Sequence, residues 1–161
     1  MASARKTTTK KPATARSKDA TAMLIADHKK VSALFADFEK ARSPKRKQAL
    51  VAEICQELTV HTAIEEEIFY PAVKRALKDR ELVPEAQVEH ASVKELIAQV
   101  QDVEPDGEMY DARVKVMGEF VKHHVKEEQN EMFPQVRKTR LDLVALGEEM
   151  AARKAELLAG G

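Results

Sequence analysis

Apolar residues recur every three or four positions along most of the chain, which is the period of an amphipathic α-helix. The strict alternation of apolar and polar residues that predicts β-strands is lacking. Pro71 is expected to end or kink the second helix before the helical pattern resumes. The predicted helices have the approximate bounds Lys18–Ala41, Pro44–Tyr70 with a continuation to Lys78, Val83–Val103, Glu108–Pro134 and Leu141–Leu158.

Each of the four long segments carries one apolar stripe at alternating spacings of four and three residues, the spacing of a bundle seam. We therefore predict an all-α fold: an up-down-up-down antiparallel four-helix bundle over residues 19–138, with an extra C-terminal helix over residues 139–161. The stripes also contain polar residues, and these are His28, His61, Glu65, His90, His124 and Glu128.

These polar residues form the same pattern twice. The first copy reads Asp27-His28-x-x-Val31, then His61-x-x-x-Glu65, then Pro71, and the second reads Glu89-His90-x-x-Val93, then His124-x-x-x-Glu128, then Pro134. The offset between the copies is 62 residues in the segment that contains the first histidine and 63 residues in the rest of the pattern. A loop absorbs a difference of one residue, so we interpret the two halves of the bundle as equivalent.

The helix lengths place all six residues at one level of the predicted bundle. His28 lies about ten residues after the start of its helix, and His61 and Glu65 precede Pro71 by ten and six residues. At about 1.5 Å per residue, these depths are roughly 9–15 Å from the same end of the bundle. The second half repeats these spacings, and residues four apart share a helix face, so all six side chains can converge.

Four imidazoles and two carboxylates in a core predict a two-metal site, because a buried carboxylate costs free energy unless it is paired. We predict that His28 and His61 bind one metal, that His90 and His124 bind the other, and that two carboxylates, Glu65 and Glu128, bridge them. This donor set suits Fe, Mn or Zn, and the seam lacks the thiolates of a structural zinc site. Unfilled coordination positions indicate chemistry on, or binding of, a small molecule.

Several neighbouring residues have two interpretations. His123 can pair with Glu127 in an alternative register, although the seam and the spacing to the proline favour its neighbour as the ligand. Glu66 is either a surface charge or a hydrogen-bond acceptor for a ligating imidazole. Tyr70 and Tyr110 are either core residues or proton and electron donors beside the metals.

Composition and charge narrow the class of protein. The 161 residues predict one domain, and 27 Lys and Arg balance 27 Asp and Glu. Residues 1–18 carry six basic residues and no acid, which predicts a disordered basic tail that either solubilises the protein or contacts nucleic acid. The single Cys55 excludes a disulfide framework and is expected to be a small core residue. A long apolar run is lacking, so we expect no membrane span and a cytoplasmic location.

The doubled motif, with both prolines and the Asp-His and Glu-His dipeptides, resembles the hemerythrin-like HHE cation-binding family over about residues 22–137. The resemblance implies a four-helix bundle with a non-haem di-iron site, in which two Fe ions are joined by an oxo or hydroxo bridge. It also implies the iron ligands, which map onto His28, His61, Glu65, His90, His124 and Glu128.

The chain departs from the oxygen-carrying hemerythrins at two positions. Lys94 stands where those proteins have a second helix-3 histidine, and Gln129 stands where they have an aspartate ligand, so that Glu128 takes that role. One iron then lacks an imidazole. We expect the extra open position to favour inner-sphere peroxide or nitric oxide chemistry over stable, reversible O2 carriage.

The expected function is therefore the decomposition of hydrogen peroxide in defence against oxidative stress, with catalase-like or peroxidase-like activity. One alternative is a sensor or carrier of O2 or nitric oxide, and another is a protein of iron homeostasis. The expected partner is a small ligand, H2O2, O2 or NO, and the expected assembly is a monomer or a homodimer. Nucleic acid is expected only through the basic tail.

Overall fold

The computed structural model describes residues 19–160, so the predicted basic tail over residues 1–18 lies outside the described residues. Within residues 19–160 every regular element is helical, and no strand is present. Seven α-helices and two π-helical turns follow one another: α1 Ala20–Lys40, α2 Pro44–Ile64, π1 Glu65–Phe69, α3 Tyr70–Leu77, α4 Leu82–Val100, α5 Glu108–Glu127, π2 Glu128–Met132, α6 Phe133–Arg137 and α7 Leu143–Ala159.

The helices form the predicted antiparallel four-helix bundle. α2, π1 and α3 follow one another without a break, and α5, π2 and α6 do the same, so the bundle has four rods. α1 packs on α2 and α5, and α4 packs on the same two helices from the other side. α7 is the extra C-terminal helix, and it packs on α1, α2 and π1. The predicted fold class is confirmed.

Short polar residues begin the first two helices. The Asp19 carboxylate accepts a hydrogen bond from the backbone amide of Ala22 at 2.9 Å and so caps α1. Ser43 caps α2 in the same way, and Pro44 occupies the first turn, where an amide hydrogen would have no partner in the helix. α5 begins after Gly107, whose φ of +95° is a conformation that favours glycine.

Each proline of the doubled motif follows a π-helical turn. The backbone amide of Tyr70 donates to the carbonyl of Glu65, and Phe133 donates to Glu128 in the same way, each five residues back. The sequence predicted an end or kink at Pro71 before the helix resumes, and the structure has a π-helical turn before Pro71 with helix on both sides. The wider turn removes the clash that the proline ring makes with the carbonyl four residues earlier in a regular α-helix.

The apolar core is divided into two clusters that lie at different levels of the bundle. One contains Leu24, Phe69 and other residues of the end that carries α3, α6 and α7. The other contains Val31, Ile54, Cys55 and their neighbours near the opposite end, so the prediction that Cys55 is a core residue is confirmed. Each fully buried large apolar side chain stabilises the fold by about 1.5–3 kcal/mol. The buried polar residues lie between the two clusters.

Asp79 caps α4 from outside the helix. Its carboxylate accepts hydrogen bonds from the backbone amides of Leu82 and Val83 at 3.0 and 2.8 Å, and from that of Glu81 at 3.3 Å. Burial raises the pKa of Asp79, but these three hydrogen bonds lower it more, and the net pKa lies below its usual value. Asp79 therefore stabilises α4 most when it is ionised.

We expect Asp79→Ala to lower the free energy of unfolding by about 1 kcal/mol at pH 7. Because the folded pKa is depressed, this contribution is present above about pH 4 and is lost as the pH falls through the folded pKa. Urea denaturation of both proteins between pH 7 and about pH 2.5 measures this. The adjacent acid provides the control, Glu81→Ala, which leaves all three bonds in place. Equal losses in both variants at pH 7 would contradict the capping role.

Candidate metal centre

The six predicted site residues converge in the polar layer between the two apolar clusters. The four histidines come one each from α1, α2, α4 and α5, and the two glutamates are the first residues of the π-helical turns. All six are buried, namely His28, His61, Glu65, His90, His124 and Glu128. The seam spacing explains this placement, since each residue occupies a core position of its own rod.

Each carboxylate contacts one imidazole from each half of the bundle. Glu65 Oε1 lies 2.8 Å from His61 Nε2 and 3.4 Å from His90 Nε2. Glu128 Oε1 lies 3.2 Å from His28 Nε2, and its Oε2 lies 3.1 Å from His124 Nε2. Both glutamates therefore lie between the two halves, which is the arrangement that bridging ligands require.

The outer nitrogens of two imidazoles bind acceptors that were not identified from the sequence. His61 Nδ1 lies 3.1 Å from Asp27 Oδ2, and His124 Nδ1 lies 2.9 Å from Glu89 Oε1. The acid of each Asp-His or Glu-His dipeptide thus orients the histidine of the neighbouring helix. The duplication of those dipeptides was the signal for this role. Such acceptors hold Nε2 toward a metal.

The remaining two imidazoles face residues of the π-helical turns, and only the first of them, His28, forms a hydrogen bond there. Gln129 Oε1 lies 2.8 Å from His28 Nδ1, so this residue orients a histidine at the position where the oxygen carriers have a ligand. Glu66 occupies the equivalent place in the first half, with Oε1 3.7 Å from His90 Nδ1, and its other oxygen accepts a 2.6 Å hydrogen bond from Lys94. Lys94 is therefore an ion-pair partner of Glu66.

Tyr70 extends its hydroxyl into the polar layer. The hydroxyl donates to Glu128 Oε2 at 2.7 Å and lies 3.1 and 3.2 Å from Nε2 of His90 and His124. Phe133 is the residue 63 positions later, and its ring stacks on His28 with centroids 6.1 Å apart. The site is therefore asymmetric, with a hydroxyl on one side only. Tyr110 lies in the other apolar cluster, against Phe38.

Several buried polar atoms of the site lie near one another but form no hydrogen bond of good geometry within residues 19–160. These atoms are His28 Nε2, His61 Nε2, both carboxylate oxygens of Glu65, His90 Nδ1 and Glu128 Oε1. A buried polar atom without a partner costs about 1–3 kcal/mol, and the cost is removed when a cation accepts these lone pairs. Two groups of three donor atoms, each within 4.8 Å of one another, are His28, His61 and Glu128, and Glu65, His90 and His124. These clusters suit metal binding.

Neighbouring carboxylates raise the pKa values of two site histidines, His61 and His124. Burial lowers the pKa of His61, but the charge of Glu65 and the hydrogen bond to Asp27 outweigh burial and raise it to about 10. Burial likewise lowers the pKa of His124, and hydrogen bonds to Glu128 and Glu89 raise it to about 11. A metal ion that binds these imidazoles displaces their protons.

Two cavities adjoin the site. A cavity of about 30 Å³ lies against the rings of all four site histidines and is otherwise lined mainly by apolar residues, including Val31, Leu58 and Val93. A larger cleft of about 790 Å³ runs between α1 and α5 and reaches His28. The two share His28, Val121 and Val125 in their linings, so the cleft and the small cavity are adjacent.

The C-terminal helix covers the first half of the site. Lys154 Nζ donates to Asp27 Oδ1 at 2.7 Å, while the other oxygen of that carboxylate contacts His61. Arg153 of α7 pairs with Glu67 of π1 at 2.7 Å. The position of α7 could not be predicted from the sequence, and these contacts hold it against the first half of the bundle.

His123 lies on the outside of α5, where its side chain is 65% exposed and its Nε2 lies 3.1 Å from Glu127 Oε1. The alternative register therefore exists as a surface pair, separate from the buried site.

Within the described residues, no helix is long and apolar enough to cross a membrane.

Comparisons with known proteins agree with this geometry. A crystal structure of a hemerythrin HHE cation binding domain-containing protein from Mycobacterium kansasii superimposes with a TM-score of 0.74 at 26% identity, covering 89% of each chain. A protein named DNA nickase from Nostoc sp. is 29% identical over 111 residues, which are 69% of this chain but 31% of that relative. The profile of the hemerythrin HHE cation binding domain matches residues 19–136. The chain therefore belongs to the hemerythrin HHE cation-binding domain family.

Proposed function

We propose that the protein is a non-haem di-iron protein that decomposes hydrogen peroxide. In this proposal His28 and His61 hold one iron, His90 and His124 hold the other, and Glu65 and Glu128 bridge them. The bridging geometry of the two carboxylates and the unpartnered donor atoms support a pair of ions. Imidazole and carboxylate donors without thiolate suit iron.

The main support for a small substrate is the cavity of about 30 Å³ against the four imidazoles. A single water needs about 10–15 Å³ of such volume, so the cavity admits one or two small molecules and excludes a metabolite of ordinary size. Hydrogen peroxide, O2 and nitric oxide are of the right size. The cleft between α1 and α5 provides a route for them from solvent to His28.

Disproportionation converts two H2O2 into one O2 and two H2O, and bound iron supplies the two-electron redox change that links the two halves of the reaction. In this proposal a residue of the chain, Tyr70, donates protons to the reaction. Burial raises the pKa of Tyr70, and the charges of Glu65 and Glu128 raise it further, so its hydroxyl stays protonated and donates. This donor lies 2.7 Å from Glu128 Oε2, beside two of the proposed ligands.

A peroxide pulse in an oxygen electrode, after iron analysis of the purified full chain, tests the proposal. About two irons per chain, with O2 released at half the molar amount of peroxide consumed, would support it. Peroxide consumed without O2 release and only with an added reductant would indicate peroxidase activity instead. A protein that takes up no iron on reconstitution would overturn the di-iron assignment.

Reversible binding of O2 or nitric oxide is a second candidate, and the apolar lining of the small cavity favours it. An apolar cavity holds a diatomic gas without competition from ordered water. This function predicts a stable adduct spectrum that is removed by evacuation, with little turnover of peroxide. Iron homeostasis, the third expectation, requires loading well beyond about two ions per chain.

The printed name of the Nostoc relative describes action on DNA. This chain spans about one third of that protein. The matched part leaves most of the relative without a counterpart here, so the proposal for this chain rests on its own buried site.

The Tyr70 hydroxyl is expected to accelerate peroxide decomposition, because it is a proton donor inside the site. We expect Tyr70→Phe to keep its iron and its fold, since Phe133 already occupies the equivalent position in the other half. Its rate of O2 release is expected to fall about 100-fold, the usual contribution of a positioned proton donor.

Tyr110→Phe is the matched control for this prediction. It also removes a buried tyrosine hydroxyl, one that lacks a hydrogen-bond partner among the described residues and lies outside the site. Stopped-flow rates with equal iron content in both variants separate proton donation from metal loss. Equal rates in the two variants would show that the Tyr70 hydroxyl has no part in turnover.

A further inference from the structure

The two halves of the bundle differ in how the outer face of the site is covered. Asp27 and Glu89 play the same part, because each accepts a hydrogen bond from the histidine of the neighbouring helix, His61 or His124, at 3.1 and 2.9 Å. Each carboxylate has a second oxygen that faces away from the imidazole. The partner of that second oxygen is different in the two halves.

In the first half the second oxygen binds a cation that belongs to the chain. Lys154 Nζ lies 2.7 Å from Asp27 Oδ1, and α7 covers this face. α7 packs on α2, and two residues of α2, Val60 and Ile64, are buried and apolar. An ammonium group therefore neutralises the carboxylate that orients His61.

In the second half the equivalent face is open to solvent and carries metal-binding side chains. His123 and Glu127 stand 63 positions after Val60 and Ile64. Glu89 Oε2 lies 3.7 Å from His123 Nε2, which lies 3.1 Å from Glu127 Oε1. One donor atom from each of Glu89, His123 and Glu127 lies within 4.8 Å of the other two.

A small cavity lies between this surface group and the buried site. Its lining includes Glu89 and Glu127 on the outer side and His124 and Glu128 on the inner side. Glu128 is 2% exposed, and its Oε1 lacks a hydrogen-bond partner among residues 19–160. Glu89 belongs to both sites, since one oxygen contacts His124 and the other faces His123.

We propose that Glu89, His123 and Glu127 form an outer binding site for a divalent transition-metal ion, from which the ion passes to the buried centre. One imidazole and two carboxylates are ligands that Fe2+, Mn2+ and Zn2+ accept. The ion takes the place that the Lys154 ammonium has in the other half, next to the carboxylate that orients the site histidine. Delivery rests on the proposed di-iron centre, whereas binding at the outer site does not.

Mn2+ binding to the full chain tests the site directly. The electron paramagnetic resonance signal of free Mn2+ counts bound ions in solution, and the anomalous difference map of crystals soaked in MnCl2 locates them. We expect a peak between Glu89, His123 and Glu127, and at least about tenfold weaker binding in His123→Ala and Glu127→Gln. Because the outer peak is separate from any peak at the buried site, it is observable even if the di-iron assignment fails.

Glu57→Gln is the matched control, because Glu57 pairs with Lys30 in an exposed ion pair on another face. It is expected to bind Mn2+ at the outer site like the unaltered chain. An anomalous difference map without a peak at His123 would overturn the outer site. Equal Mn2+ binding in Glu127→Gln and Glu57→Gln would do the same. His123 and Glu127 would then be a surface ion pair only.

The delivery role is tested by the rate of Fe2+ uptake into the metal-free chain. At low Fe2+ concentration we expect uptake about tenfold slower in His123→Ala, since a charged site at an opening raises the local ion concentration. The final iron content of the buried centre is expected to equal that of the unaltered chain, which would show that the buried ligands are intact. Unchanged uptake rates in His123→Ala and Glu127→Gln would overturn delivery.

Discussion

Replacement of His61 by alanine is expected to abolish peroxide decomposition and to lower the iron content from about two ions per chain to about one. His61 Nε2 lies 2.8 Å from Glu65 Oε1, so the substitution removes an imidazole and also leaves the carboxylate that we propose as a bridge with one partner fewer. Asp27 would then retain only Lys154 among its two hydrogen-bond partners. O2 release below about 1% of the unaltered rate is expected, because both redox ions are needed for a two-electron change.

Ile54→Ala is the control that separates ligand loss from damage to the fold. Ile54 is a buried residue of the same helix, two turns before His61, in the apolar cluster beyond the site. Its truncation costs about 2–5 kcal/mol of stability but removes no metal donor. Iron analysis, an oxygen electrode and circular dichroism of the two variants make the comparison. Peroxide turnover that survives in His61→Ala at the unaltered rate would contradict the proposed ligand set.

Removal of the metal is expected to lower the melting temperature by about 8–16 °C for each ion that is lost. An ion present at about 1,000 times its dissociation constant stabilises a protein by about 4 kcal/mol, and about 1 kcal/mol corresponds to 2–4 °C for a chain of this size. The physical cause is the set of buried donor atoms without partners in residues 19–160, which a cation satisfies. The raised pKa values of His61 and His124 offset part of this loss, because their imidazolium forms pair with the glutamates.

Differential scanning calorimetry before and after dialysis against a chelator measures this shift, and added iron should restore it. The same treatment of His61→Ala serves as the control, with an expected shift of about half, because one of two ions is already absent. An unchanged melting temperature after verified metal removal would show that the buried donors are satisfied without metal, and would count against their role as ligands.

The four rods and the convergence of six polar residues followed from periodicity. A repeated spacing of four and three residues defines one buried face, and a histidine or glutamate on that face has to be buried with it. The Pro71 and Pro134 positions were also visible, but the π-helical turns before them were not. Whether a helix widens, kinks or ends at a proline depends on what packs around it, which local sequence does not encode.

The hydrogen-bond partners of the site histidines could not be predicted from the sequence pattern. Asp27 and Glu89 stood in the repeated dipeptides, yet their partners lie 34 and 35 residues away on another helix. Gln129 read as a missing ligand, and the structure makes it the acceptor for the His28 imidazole. Lys154 reaches Asp27 across 127 residues. Such pairs form only when side chains of two different helices point toward each other, and the number of residues between them in the chain does not predict this.

The position of the Tyr70 hydroxyl depends on the tertiary structure and could not be predicted from the sequence. In a regular α-helix it would lie about 140° around the axis from Glu65, because each residue turns by about 100°. The π-helical turn places its amide on the Glu65 carbonyl and its hydroxyl against Glu128. The amino-acid sequence alone determined the all-α class, the bundle and the six converging polar residues, since periodic burial is a local property. The asymmetry of the site, its orienting acids, its cavities and the uncovered face beside His123 arose only when the helices packed, because each depends on contacts between residues distant in the chain.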